Sequence, residues 1–229
     1  MKNAVVVLML ILLIFSCSNS KKHQGNLVVE GKIKGLRLGT LLIKKLENDS
    51  IKSLDSIKVD GNENFEFQTN IKEPQILVLS LPEIKDGDIL FFAAPKDTIK
   101  IYTFLETFAL NPVVIGGINQ ERLQTYKDIL HKFSDKELDL FKAKYEASKK
   151  QQNKLADSLT NAYDNLLRKR ELYKLNFIFT NADKPVGAYV GYTSFYKNKQ
   201  ALDTIYKMLK PDIKQSKYGK EIKKILDKK

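Results

Sequence analysis

Tryptophan is absent from the 229 residues, histidine occurs twice and cysteine once, and each scarcity closes off a kind of chemistry. A single cysteine, Cys17, can make neither an intramolecular disulfide nor a Cys-x-x-Cys redox pair. His23 and His131 lack companions at metal-binding or acid–base spacing, which would need converging groups; Asp128, three residues before His131, offers only a surface pairing. The longest apolar run, Ala4 to Phe15, has 12 residues, against the ~20 that cross a bilayer as a helix. There is no P-loop, no GxSxG elbow and no HExxH pair. Asp60-Gly61-Asn62-Glu63-Asn64 places oxygen donors as a calcium loop would begin. Its sixth position is Phe65 instead of glycine and its twelfth Ile71 instead of glutamate, so it reads as a turn. No metal or cofactor is expected.

Acidic residues are comparatively few, 27 against 39 lysines and arginines, for a net charge of +12. The basic residues are spread along the chain and do not cluster with aromatics, so nucleic acid is not the expected partner. A solvated Lys-rich surface is expected, with anionic lipid head groups or envelope polymers as neighbours. The hydrophobic fraction of 43% is that of a globular protein.

Lys2 followed by the short apolar run is the pattern of a secretory signal. Ile14-Phe15-Ser16-Cys17 then resembles the bacterial lipobox, with Phe15 larger than the residue usual at its place. The resemblance implies removal of residues 1–16, diacylation of Cys17 and a membrane anchor at the new N-terminus. Several acyl chains, at about 0.8 kcal/mol per buried methylene, hold a soluble body firmly. Residues 17–25 are polar and aperiodic and read as a tether. Ser18 in place of Asp, with no acidic cluster after it, implies by resemblance to lipoprotein sorting rules the periplasmic face of the outer membrane.

Between 26 and 116 the hydrophobic period is two. Seven short strands are expected, around Leu27–Lys34, Thr40–Leu46, Ile51–Val59, Phe65–Thr69, Leu77–Leu81, Ile89–Phe92 and Ile99–Tyr102. Asn48-Asp49-Ser50, Asp60-Gly61-Asn62 and Pro95-Lys96-Asp97 supply turns. The spacing predicts an antiparallel sandwich or open barrel. After Gly116-Gly117 the pattern becomes helical, so 117–229 is read as an α-helical region. A short helix is expected over Gln120–Phe133, then a capping box at Ser134-Asp135-Lys136-Glu137. From there Leu138, Phe141, Tyr145, Leu155, Leu159, Ala162, Leu166 and Tyr173 form the apolar stripe of one long helix or of a hairpin broken near Ser148 and Gln152. Pro185 marks a helix start, Pro211 the end of a helix containing Leu202, Ile205 and Leu209, and Ile213–Leu226 a last helix.

Gly31-Lys32-Ile33-Lys34-Gly35-Leu36, Leu54-Asp55-Ser56-Ile57-Lys58-Val59-Asp60-Gly61 and Phe65-Glu66-Phe67 resemble a domain of unknown function common in Bacteroidota lipoproteins, DUF4369. Gly116-Gly117-Ile118-Asn119-Gln120-Glu121, Phe177–Pro185 and Ser216-Lys217-Tyr218-Gly219-Lys220 resemble the helical segment that follows it in that family. In those relatives a thioredoxin fold with a Cys-x-x-Cys pair comes next. No second cysteine is present here, and disulfide exchange needs a thiolate with a resolving partner. The resemblance therefore implies the accessory part without its enzyme.

Tyr189, Tyr192 and Tyr196 fall on one helical face, either as core with hydroxyls reaching the surface or as a binding surface for a sugar or a partner. The expected role is a non-catalytic binding or scaffolding module of the cell envelope, contacting an envelope protein or polymer, with a thioredoxin-like protein as one such partner. The competing expectation is an envelope hydrolase whose carboxylates only the fold would bring together.

Overall fold

A computed structural model describes residues 25–47, 50–84 and 87–228. Cys17, His23, the apolar run, nearly all of the tether and the Asn48-Asp49 turn lie outside the described residues.

The alternating segments form eight described strands: β1 (Leu27–Lys34), β2 (Leu38–Glu47), β3 (Ser50–Asp60), β4 (Asn64–Thr69), β5 (Gln75–Ser80), β6 (Asp88–Ala93), β7 (Thr98–Phe104) and β8 (Val113–Ile115). They make two four-stranded sheets, in the orders β4-β1-β7-β8 and β3-β2-β5-β6. Leu27, Val29, Ile33, Phe67, Ile99 and Ile101 of the first sheet pack on Leu41, Ile43, Leu77, Leu79, Ile89 and Phe91 of the second. This is the expected sandwich, not a closed barrel. Neighbouring strands run antiparallel with one exception: β1 lies parallel to β7, Val28 opposite Thr98 and Lys34 opposite Phe104. At Gly31 the two strands approach so closely that a Cβ would collide with the Ile101 carbonyl. β8 was not expected; three residues are too few to display a period.

The turns follow their chemistry. Gly61 adopts φ 77° and the Asn62 side chain accepts the Asn64 amide at 3.0 Å, so the calcium-like segment is a β3–β4 turn. Lys96 takes φ 76° while Asp97 Oδ2 accepts the Ala94 amide at 2.8 Å.

The second half contains α1 (Ile118–Lys149), α2 (Asn153–Thr180), α3 (Pro185–Phe195), α4 (Lys199–Met208), the single turn α5 (Pro211–Lys214) and α6 (Lys217–Asp227). The hairpin break falls at Lys150–Gln152, as one of the two sequence readings has it. The capping box does not form. α1 passes through Ser134 unbroken, because its hydroxyl donates back to the Leu130 carbonyl at 3.2 Å and Glu137 is taken by groups on α2. Pro185 opens α3 as expected, but Pro211 opens α5 instead of closing α4, which ends at Met208. Leu123, Tyr126, Ile178, Val186, Val190, Leu202, Ile205 and Ile222 form a second core beneath these helices.

Candidate binding surfaces

Phe91 and Phe92 are both fully buried, in different cores. Strand alternation points Phe91 into the sandwich and Phe92 out of the opposite face. There Phe92 meets Tyr189 edge-on with ring centroids 5.8 Å apart, and Tyr218 at 6.1 Å. Tyr218 also contacts Tyr189 at 4.9 Å and Tyr192 at 6.2 Å. Tyr189 and Tyr192 thus belong to an aromatic joint between the two halves, half-buried in it, whereas Tyr196 stands exposed with the Lys197 ammonium 5.4 Å from its ring centre. Of the three tyrosines expected on one face, the structure thus places two in the joint and one outside it.

Polar groups lock the same joint. The Ile76 amide donates to the Tyr218 hydroxyl at 2.9 Å, and the Phe92 amide to Gln120 Oε1 at 2.8 Å. Lys217 Nζ donates to the Leu46 carbonyl at 2.5 Å and to Gln75 Oε1 at 2.6 Å. Asn119 Oδ1 accepts the Val186 amide at the start of α3 at 3.3 Å, and Arg122 donates to Asn181 Oδ1 at 2.9 Å. Gly116–Glu121 and Ser216–Lys220 thus supply contacts to the strands, while Phe177–Pro185 meets the first of these motifs inside the helical half. Burial pushes the Tyr218 and Tyr189 phenols above their ordinary range and pulls the Lys217 ammonium below its own. At the rim, β2, β5 and α6 enclose a cleft of about 290 Å³ lined by Lys45, Lys72, Lys217 and Lys220 with Glu47, Glu73 and Glu221 among them. Glu47 is held below the usual carboxylate range by hydrogen bonds from Lys52 and Lys45.

No group of three or more His, Cys, Asp or Glu side chains suited to a metal occurs among the described residues. His131 is exposed on α1, and Asp128 takes a hydrogen bond from Gln124 at 2.8 Å. Asp97 is shifted upward by burial, against the pull of the Ala94 amide, and its carboxylate caps a turn.

A second surface lies on the helical hairpin. From Ser134 to Arg170 no apolar side chain joins either core. The seam of this arm is held by Ala147, which is buried, and by Glu137, which accepts from Tyr163 at 2.8 Å and pairs with Arg170. Leu138, Phe141 and Tyr145 are exposed to 52, 60 and 61%. Steps of three and four place them on one face. The sequence displays this stripe but not what covers it, and among the described residues nothing does.

Fold and surfaces together define a two-sheet β module pinned to a helical half that carries a bare two-helix arm. A family model described as a domain of unknown function, DUF4369, matches residues 27–123. The resemblance read from the strand motifs therefore holds for that segment, and the match runs into α1 as far as Leu123, past the joint residues Asn119 and Gln120. No curated protein and no solved structure matches the chain.

Proposed function

We propose that the protein is an envelope lipoprotein, lipidated on Cys17 and held at the periplasmic face of the outer membrane, whose body is a non-catalytic binding or scaffolding module. The observation that carries this reading is the Leu138–Phe141–Tyr145 stripe, three large apolar side chains exposed on an arm outside both cores. A contiguous apolar face exposed on a soluble body marks an interaction site. The anchor is supported by the sole cysteine standing directly behind a 12-residue apolar run. The partner class is an envelope protein, and the domain resemblance points to a separately encoded thioredoxin-like one.

The test is crosslinking capture from native envelopes with tagged full-length protein, beside Phe141→Glu and Cys17→Ala. One dominant partner recovered by the native form and lost with Phe141→Glu supports the reading. Recovery unaffected by Phe141→Glu removes the arm from it. Capture of nothing above background by the anchored protein overturns it.

A further inference from the structure

The outer face of the β4-β1-β7-β8 sheet is turned away from the sandwich core, and its side chains do not enter the helical core either. Period two sets Lys32 and Lys34 of β1 and Lys100, Tyr102 and Phe104 of β7 outward, while Ile33, Ile99 and Ile101 point in. The register lines up Asn64, Lys32, Tyr102 and Val113 across the four strands. Two shallow grooves, of about 430 and 280 Å³, meet at Tyr102. The first runs over Glu30, Asn62, Asn64 and Glu66; the second runs past Phe104 and Asn111 to Val113.

Charge decides what such a surface accepts. The chain as a whole carries +12, yet on this face Lys32, Lys34 and Lys100 stand among Glu30, Glu63 and Glu66, and Glu66 takes a hydrogen bond from Gln68. Lys100 pairs with Glu30 at 3.3 Å, Lys32 with Glu63 at 3.2 Å, and the Lys34 ammonium lies 5.3 Å from the centre of the Phe104 ring. An anionic bilayer or polyanion would meet Glu30 and Glu66 in the first groove, and a protein interface core is depleted of charges of this kind. An uncharged ligand rich in hydroxyls has no such penalty, since amides, carboxylates and ammonium groups at the groove edges can all exchange hydrogen bonds with it. Tyr102 and Phe104, exposed to 43 and 56%, stand on one face two residues apart, about 7 Å by strand rise. That sets two aromatic rings on one face at a spacing suited to successive sugar rings, with Tyr102 open and the Lys34 ammonium already against one face of Phe104.

We propose that this sheet face is a carbohydrate-binding platform for an uncharged oligosaccharide, with Tyr102 and Phe104 stacking on sugar rings and Asn64, Glu66 and Asn111 bonding their hydroxyls. The site is separate from the arm. Its ligand class is set by the balanced charge and the paired rings.

Calorimetric titration of the full chain with soluble neutral hexasaccharides of glucose, xylose, mannose and N-acetylglucosamine tests it, with an oligogalacturonate as the anionic comparison. At least one neutral hexasaccharide should bind, and Tyr102→Ala and Phe104→Ala should each weaken it about tenfold or more. Tyr196→Ala, which removes an exposed ring elsewhere, should leave binding unchanged. Both groove positions are exposed, so thermal midpoints should hold; were Tyr102→Ala to unfold, Tyr102→Phe, which keeps the ring, should still bind. Absence of binding by every neutral sugar, binding of the anionic one alone, or binding indifferent to both groove substitutions would each overturn the proposal.

Discussion

The Tyr218 hydroxyl accepts the Ile76 amide at 2.9 Å across 142 positions of sequence, tying the last long helix to the outer face of a β strand. Tyr218→Phe keeps the ring contacts with Phe92 and Tyr189 but leaves that amide without its partner. A fully buried donor left unmade costs about 1–3 kcal/mol, and this partly buried one should fall at the low end, about 1 kcal/mol. Urea unfolding followed by circular dichroism should show a loss of that size.

Gln120→Leu should act on the same joint from the other side, since the buried Phe92 amide then loses its acceptor. The single loss is about 1–3 kcal/mol. Because Phe92 touches Tyr218, the double variant should depart from the sum of the singles by about 0.5 kcal/mol or more. Strict additivity would mean that the two hydrogen bonds are independent.

Stability should fall as pH rises above about 10. Burial raises the phenols of Tyr126, Tyr173, Tyr189 and Tyr218. Their contribution is complete below the unfolded value near 10 and is lost as the unfolded chain releases protons that the folded chain keeps. Lys127 and Lys217, shifted downward by burial, work in the opposite sense, but they are outnumbered, since Tyr163, raised by its bond to Glu137, and Lys223, raised by Asp227, act with the four phenols. Urea midpoints should show no phenol-driven loss between pH 8 and 9 and should decline from pH 10 to 11, less steeply for Tyr218→Phe; a flat or rising step from 10 to 11 would contradict the assignment.

Arg170→Met should loosen the arm without disturbing the sandwich. It leaves Glu137, only 27% exposed, with Tyr163 as its remaining partner across the seam. Amide exchange between Leu138 and Leu166 should speed up, while protection in β2 and β5 stays as it was.

Much of this architecture is legible in the residues, and the illegible parts share a cause. Period two located seven strands, and Gly61 and Asp97 announced their turns, because those signals are local. The parallel partnership of β1 with β7 is written in no local pattern, since alternation tells a strand which way its side chains point and nothing about its neighbour. Ser134 and Glu137 have the spacing of a helix start, but a cap forms only where the chain breaks, and the groups on α2 that engage Glu137 lie 26 and 33 residues away. Phe91 and Phe92 look alike in sequence and serve different cores. Tyr189, Tyr192 and Tyr196 share a helical face, yet Tyr218, from another helix, draws two of them into the joint and leaves the third outside. The bare stripe of α1 was visible as amphipathicity, a property that names a face and not its occupant.

The pairing of β1 with β7 also fixes an order of assembly. Val28 meets Thr98 and Lys34 meets Phe104, so each β1 residue waits for one made 70 positions later. Until then β1 can pair only with β4, leaving one edge bare, while the β2–β3 hairpin closes from adjacent residues. A chain made from its N-terminus must therefore extend to about a hundred residues before its first strand is shielded on both sides. Through that interval β1 presents an open edge, the kind of backbone that invites wrong pairing until β7 arrives to cover it.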